Sequence, residues 1–300
     1  IADLQKEDLI DPEAQDLLYQ GDAEKWLKLA YGLKARYTMH LLKRSANKDA
    51  DMEKVLEYVN NSFESAEEQA AFDVYDANNI NPLYGFFVAR AGLGASESMR
   101  SKLAEYNDPR LSRAFITKQG TSGKEQAPGT ADNAVYAPNG TPEQGTSKYG
   151  TSLFMYSISA PTLLLSYHEL KFLEAEALCR LERDAKSALK DAVVAGLLNA
   201  ENSFTISRKE LGKTLINAAN SITEAEAESY FDNTIEAKYT AEPLKTTMTQ
   251  KYFALWGASG EATESYNDVR RMKGLGENFI ELKNPNSFLM AIATQQRMPK

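Results

Sequence analysis

The sequence predicts an all-α fold with long irregular loops, and two observations support this prediction. Apolar residues recur at intervals of three and four along several segments, as on one face of a helix, and residues 26–41 show this spacing first. Between such segments lie stretches rich in Asn, Asp, Gly and Pro, which favour turns and loops. A chain of 300 residues is long enough for one large core, so we expect a single domain over residues 1–300.

The helical spacing divides the chain into successive predicted helices. Asp51 or a neighbouring residue is expected to cap the second of them. Residues 199–215 alternate apolar and basic side chains and are predicted to be irregular. The predicted helices, in chain order, cover residues 26–41, 50–61, 97–106, 167–181, 185–196, 224–239 and 248–256.

The helix predicted over residues 185–196 carries small residues along one face. Ala188, Ala192 and Gly196 lie on this face, and small side chains let two antiparallel helices approach closely. Together with the helix over residues 167–181, it forms a tetratricopeptide-like pair in our prediction. We therefore predict an all-α fold with a tetratricopeptide-like helical core, in which one pair rather than a tandem array is evident.

Residues 118–151 form a long polar stretch that differs from the rest of the chain. It is dense in Gly, Pro, Thr, Ser, Asn and Gln, and Tyr136 and Tyr149 are its aromatic residues. A polar insert of this length within a compact domain is usually either functional or without regular structure. We predict a surface loop, and two interpretations stay open: it helps to wall a binding site, or it is merely solvated.

Charge and composition exclude several classes of function. A net charge of −8 argues against nucleic acid, which requires clustered Lys and Arg, and against binding to an anionic membrane surface. The sequence lacks an apolar run of about 18 residues, the length that a membrane-spanning helix needs. The lone cysteine, Cys179, lies in a helical pattern and is expected to be a buried apolar residue.

The sequence also lacks the motifs of catalysis, metal binding and cofactor binding. With two histidines and one cysteine, a zinc site is not expected, and the phosphate-binding and nucleophile-elbow motifs are missing. Asp73, Asp76, Asn78 and Asn79 contain oxygen ligands, but their order is not that of a calcium loop, so side-chain-to-backbone turns are expected instead. We therefore predict no catalytic residues, no metal and no cofactor.

Residues 250–274 are the most distinctive segment of the chain. They resemble the closing signature of the SusD/RagB family, which is close to Gln-Lys-Trp-x-Ala-Leu followed by Glu-x-Trp-Asn-Asp-x-Arg-Arg-x-Gly. Tyr252 and Tyr266 occupy positions where the family usually has Trp, and Gly274 comes one residue late. The matching positions are Gln250, Lys251, Ala254, Leu255, Glu264, Asn267, Asp268, Arg270 and Arg271.

Other segments resemble the same family in the expected order. They are Gly21 and Asp22 ahead of the first predicted helix, residues 81–84, residues 107–111, and residues 166–177. The resemblance implies a surface-exposed lipoprotein of the outer membrane that captures oligosaccharide and delivers it to a SusC-like TonB-dependent transporter. Family members carry an N-terminal lipidated cysteine and further N-terminal helices. We therefore expect this chain to lack its N-terminal portion, and with it the anchor that is its one contact with the membrane.

Loop aromatics and amides are the candidate ligand-binding residues. Sugar rings stack on aromatic faces, and their hydroxyls bond to amides and carboxylates; peptide ligands use the same groups. The family places ligand-stacking aromatics on loops, one of them a Trp shortly before the core helix, and that Trp is missing here. The predicted ligand-binding residues are Tyr75, Asn78, Asn79, Tyr84, Tyr136 and Tyr149.

Glu174 is predicted to form a structural clamp. It falls on the apolar face of its helix, whereas Glu169 and Glu176 are expected to point away from that face. A buried carboxylate needs a cationic partner, and a guanidinium group binds a carboxylate through two hydrogen bonds. We expect Arg270 or Arg271 of the C-terminal signature to supply it.

Two further classes of function stay open beside glycan capture. The same capture role with an oligopeptide ligand is the first, since aromatic and amide groups bind both ligands. A tetratricopeptide-type protein-interaction module is the second, and it predicts at least three similar helix pairs. A glycan hydrolase would require two carboxylates facing each other across a cleft, for which the sequence gives no positive evidence.

Overall fold

The computed structural model describes residues 1–6, 13–90, 94–116, 136–139, 149–211, 221–257 and 260–282, and it confirms the predicted all-α fold. Four short strands form two antiparallel pairs, β1 with β4 and β2 with β3: β1 (Ala70–Phe72), β2 (Phe115–Ile116), β3 (Thr151–Ser152) and β4 (Thr162–Leu165). The α-helices are α1 (Ala23–His40), α2 (Lys48–Asn60), α3 (Pro82–Arg90), α4 (Glu97–Glu105), α5 (Arg110–Arg113), α6 (Tyr167–Arg180), α7 (Lys186–Leu211), α8 (Glu224–Tyr230), α9 (Glu236–Ala241), α10 (Pro243–Ala254) and α11 (Ala262–Leu275).

The chain divides into two compact units. The first comprises Ile1–Asn81, Ser159–Asn202 and Ile222–Ile280, and the second comprises Pro82–Ile158, Ser203–Ser221 and Glu281–Lys300. The organisation as one domain stays a prediction.

The first unit is a stack of helices. α1 packs on α2, α2 on α6, α6 on α10, and α10 on α9, so that each helix contacts its neighbours in the stack. The core between α1, α2 and α6 contains Met39, Val55 and Leu170, all of which are buried. Gly196 brings α7 close to α10, because a Cβ atom there would lie 2.9 Å from the Cβ of Ala254. The small-residue face predicted for this helix therefore packs closely, although its partner at this position is α10.

Strands β1 and β4 pair antiparallel in the first unit, with Ala70 opposite Leu165 and Phe72 opposite Thr162. This pairing holds the start of the loop formed by residues 73–81 beside the strand that leads into α6. Gly260 lies against the same strand with a φ of +90°, and a Cβ atom there would come within 2.3 Å of the Leu163 carbonyl oxygen. Glycine tolerates both the positive φ and the close contact.

The second unit contains α3, α4, α5, the β2–β3 pair and the last turns of α7. Its core includes Phe154 and Phe204, whose ring centroids are 4.7 Å apart, and Ser207 donates a hydrogen bond to the Leu153 carbonyl at 2.8 Å. Most of the loop predicted over residues 118–151 lies outside the described residues. Within its described part, Ala137 pairs with Ser96 in an isolated bridge.

Three local predictions need correction. Residues 199–211 are helical, because α7 continues through them and Phe204 is buried in the second unit. Asn47, rather than Asp51, caps α2 by accepting a hydrogen bond from the Ala50 amide at 3.1 Å. The helix predicted over residues 224–239 contains a π-helical turn, Phe231–Ile235, between α8 and α9.

Candidate functional site

The C-terminal signature forms a buried ionic cluster within the first unit. The Lys251 ammonium on α10 lies 2.7 Å from the Asp268 carboxylate on α11. Arg271 donates to Asp268 at 2.8 Å and makes two hydrogen bonds to Glu176 on α6, at 2.5 and 2.8 Å. Although burial alone would raise the pKa of the Glu176 carboxyl, Arg271 and Arg180 hold that pKa well below its usual range. These signature residues therefore stabilise the fold by joining three helices.

The predicted clamp connects the expected segments, but Glu174 is the wrong carboxylate. Glu174 accepts a hydrogen bond from Lys171 on its own helix at 2.5 Å, and the exposed Arg270 lies over the Tyr266 ring. Arg271 binds Glu176 instead. The prediction failed because it assumed one apolar face, whereas eight of the fourteen residues of α6 are buried. On a helix surrounded by neighbours, charged residues are buried wherever a partner meets them.

A second buried cluster joins α1 to the start of α6. Arg36 makes two hydrogen bonds to the Glu169 carboxylate, one of them at 2.8 Å, and Glu261 accepts a hydrogen bond from the Ser166 amide at 2.5 Å. Burial raises the pKa of Glu261 well above its usual value, and the neighbouring Glu169 raises it further. Two carboxyl groups thus share one guanidinium, which favours the protonated form of Glu261.

Glu264 of the signature connects α11 to α1. Its carboxylate lies 2.7 Å from the His40 ring nitrogen. Burial would raise the pKa of Glu264, but the hydrogen bond to His40 and the charge of Arg36 lower it to about 2. Among the signature residues, Lys251, Asp268 and Arg271 are buried and Glu264 is half-buried, so these four contribute to the scaffold of the first unit.

The loop formed by residues 73–81 holds three of the predicted ligand-binding residues. The Asp76 carboxylate accepts hydrogen bonds from the Asn78 and Asn79 amides, both at 2.7 Å, and this confirms the predicted side-chain-to-backbone turn. Both Asn side chains are exposed. The Tyr75 ring is half-buried, and its hydroxyl lies 2.7 Å from the Thr162 hydroxyl on β4. Hydrogen bonds to the backbone therefore hold the shape of the loop, while the side chains of Asn78 and Asn79 are exposed to solvent.

Two exposed apolar residues in this loop were missed by the sequence analysis. Val74 is 47% exposed and Ile80 is 39% exposed, so the loop offers apolar surface beside its amides. The signal was available, since both are apolar residues within an otherwise polar turn.

The other three candidates belong to the second unit. Tyr84 lies on α3 and is half-buried, so the prediction of a loop position is wrong; Pro82 begins the helix there. Tyr136 is half-buried and packs edge-to-face on Phe115, with ring centroids 5.1 Å apart. Tyr149 is 4% exposed and packs against Gly94, which Ala137 also approaches. A ring buried to this extent has no free face for stacking, so Tyr149 is removed from the predicted set.

The described residues contain neither a cluster of metal ligands nor a membrane-spanning helix. Across the described residues, His, Cys, Asp and Glu side chains form no group of three or more that would hold a metal ion. In that same part, the helices are all too short or too polar to cross a bilayer.

The helical stack and the buried signature define a protein with an all-α scaffold. The chain belongs to the SusD-like family, because residues 1–277 match the family model described as "Starch-binding associating with outer membrane". Members of this family bind nutrients at the outer membrane. This match confirms the family that the signature residues indicate. A comparison with curated protein sequences gives no match.

Solved structures agree with this assignment. The chain is 64% identical to a SusD/RagB family protein from Bacteroides thetaiotaomicron, with a TM-score of 0.92, and the match covers 96% of this chain and 61% of that one. It therefore spans less than two thirds of that relative. A SusD homolog from Bacteroides fragilis is 20% identical, with a TM-score of 0.68 and coverage of 91% and 60%. A chitin-binding protein is 22% identical, with a TM-score of 0.61 and coverage of 85% and 53%. At 20–22% identity the likeness shows the fold alone.

Proposed function

We propose that this protein captures an oligosaccharide at the cell surface and delivers it to a SusC-like TonB-dependent transporter in the outer membrane. The observation that carries the proposal is the match of residues 1–277 to a starch-binding, outer-membrane-associated family. Attachment to the membrane through an N-terminal lipid anchor is part of the same proposal.

The loop of residues 73–81 is our candidate for the glycan-binding surface. Its exposed amides, Asn78 and Asn79, can donate to and accept from sugar hydroxyls. Val74 and Ile80 offer apolar surface to the C–H faces of a sugar ring. Because Asp76 fixes the loop through backbone amides, little conformational entropy is lost when a ligand binds.

The test is a glycan-binding measurement on the double variant Asn78→Ala/Asn79→Ala. The turn should persist, since the Asp76 carboxylate accepts hydrogen bonds at 2.7 Å from the backbone amides of both positions. The substitutions remove one longer contact to Asp76, from the Asn79 side-chain amide at 3.4 Å. An array screen of the wild-type protein supplies the glycan, and calorimetry then measures its affinity for both proteins. We expect the loss of two hydrogen bonds to weaken binding by about tenfold or more.

The variant Asn61→Ala is the matched control, because it removes an exposed amide at the end of α2. Its affinity should equal that of the wild type. If the screen finds no glycan ligand, glycan capture is wrong, whereas equal affinities for the wild type and the double variant would displace the site from this loop.

A further inference from the structure

The first unit contains a half-open groove with a volume of about 450 Å³, which we call the α7 groove. The groove is lined by the first turn of α6, with Tyr167, and by residues of the segment 64–69. The start of α8 contributes Glu224 and Glu228 to the lining. Its volume lies within the range of about 300–1,000 Å³ that is typical of ligand pockets, and it can hold a peptide of a few residues. The glycan loop, residues 73–81, contributes none of the lining residues.

The floor of the groove is an apolar stripe on α7. Val194, Ala195 and Leu198 line it, and their spacing of one, three and four residues places them on one helix face. All three are half-buried, as is the Tyr167 ring beside them. An accessible apolar surface of this kind favours the binding of an apolar side chain, because contact removes both surfaces from water.

The rim of the groove is strongly acidic. Four carboxylates line it, from Glu64, Asp191, Glu224 and Glu228, against the single ammonium group of Lys190. That ammonium is already bonded to both carboxylate oxygens of Asp232, at 2.9 and 3.0 Å.

Glu224 and Glu228 differ from the other rim carboxylates in their pairing. Glu64 lies 3.1 Å from Lys28, and Asp191 lies 3.5 Å from Lys171. Within the described part of the chain, Glu224 and Glu228 form no salt bridge. They lie one turn apart on α8, where two like charges repel each other unless a cation comes between them. The charge of Glu228 also acts on the Lys190 ammonium without forming a salt bridge to it. The groove thus presents two carboxylates that no salt bridge in the described residues engages, beside an apolar stripe.

We propose that the α7 groove binds a short oligopeptide, one that is not part of a folded protein. This peptide carries a Lys or Arg side chain next to an apolar residue. The cationic group bonds to Glu224 and Glu228, and the apolar side chain packs on Val194 and Leu198. Charge complementarity selects this ligand over a neutral glycan, because hydrogen bonds between ions are about twice as strong as neutral ones. This site is separate from the glycan surface of the proposed function.

Three blocked tripeptides test the proposal: acetyl-Leu-Lys-Leu-amide, its Gln counterpart and its Glu counterpart. Calorimetry at low salt should give a Kd for the Lys peptide at least tenfold below that of the Gln peptide, with the Glu peptide weakest. The variant Glu224→Gln/Glu228→Gln should lose that preference while it still binds the Gln peptide like the wild type. Raising the salt concentration should reduce the preference as well.

Two further proteins complete the design. Glu57→Gln removes an exposed carboxylate from α2, away from the groove, and should keep the full preference for Lys. Asn78→Ala/Asn79→Ala should bind the Lys peptide like the wild type even where it loses glycan. Equal affinities of the three tripeptides, an absence of binding by all of them, or a preference that survives in Glu224→Gln/Glu228→Gln each overturns the proposal.

Discussion

At the scale of single residues, the pairing of Glu169 with Glu261 is the least usual feature of the molecule. Both carboxyl groups are buried, and Arg36 lies near both of them. The His168 ring nitrogen also lies 3.7 Å from Glu261, and the charge of Glu169 acts on Lys251. Two neighbouring carboxyl groups away from water favour the protonated form of one of them. The pKa of Glu261 is raised by burial first and by Glu169 second, so the folded protein retains a proton that the unfolded chain releases. This proton makes stability depend on pH.

The sign of that dependence gives the first prediction. Because the folded pKa of Glu261 lies above its unfolded value, the stabilising contribution is complete below pH about 4.5 and declines as the pH rises towards the folded pKa. The loss amounts to about 1.4 kcal/mol per pH unit over that window. Glu261→Gln keeps the shape of the protonated acid and removes the loss. Urea unfolding at pH 5, 6.5 and 8 should show a free-energy advantage of Glu261→Gln over the wild type that grows with pH.

Glu57→Gln is the matched control for this measurement, since the side chain at position 57 is exposed. Its difference from the wild type should stay near zero at every pH. An advantage of Glu261→Gln that is constant from pH 5 to pH 8 would contradict the retained proton.

At the scale of helices, α6 is the element that the two ionic clusters hold in place. Glu169 near its N-terminus bonds to α1, and Glu176 near its C-terminus bonds to α11. Arg180 extends the second cluster by donating to Glu176 at 2.8 Å and to Glu277 at 2.8 and 2.9 Å. Removal of the Glu176 charge leaves Arg271 with Asp268 and Arg180 with Glu277, but both cations lose the buried carboxylate that they share.

The second prediction compares two glutamates on α6. Glu176→Gln leaves Arg271 and Arg180 without their shared carboxylate and should lower the free energy of unfolding by about 3–5 kcal/mol. Glu174→Gln breaks a half-buried pair with Lys171 at the edge of the helix stack and should cost at most about 1 kcal/mol, because water still reaches both groups. Chemical unfolding of both variants at pH 7 measures the difference. Equal losses would show that the buried cluster does not stabilise the first unit.

Much of the helical framework could be predicted from spacing alone. The periodic residues of 26–41 and 167–181 correspond to α1 and α6 within a few residues at either end. The continuation of α7 could not, because Phe204 and Ser207 are fixed by contacts with residues some fifty positions earlier. The local alternation of apolar and basic residues does not indicate such long-range contacts.

The candidate site likewise has features that local sequence predicts and features that only long-range packing determines. The turn at Asp76 follows from local chemistry, so the sequence predicted it. The identity of the clamp residue depends on which side of α6 meets Arg271, and that is a property of the packed helices. The burial of Tyr149 likewise depends on Gly94, which the sequence does not place beside it.

At the scale of the whole molecule, the proposed recognition by a transporter requires a protein surface of defined shape, and the helical scaffold must keep that shape. The signature residues supply that shape from within the first unit, since Lys251, Asp268 and Arg271 are all buried. We therefore expect partner binding to follow the integrity of the buried cluster rather than the presence of any single exposed charge.

The third prediction tests delivery with the tagged full-length protein in its native bacterium. After gentle solubilisation of the outer membrane, mass spectrometry should find a TonB-dependent transporter in one-to-one proportion with the wild type and with Glu174→Gln. Glu176→Gln should recover less transporter, in proportion to its folded fraction, because the loss of the Arg271 pair destabilises the scaffold of the surface proposed to bind it. Recovery of the wild type alone, or with cytoplasmic partners, would refute delivery and favour the protein-interaction module. If Glu176→Gln is unfolded and still recovers as much transporter as the wild type, the transporter contact lies outside residues 1–300.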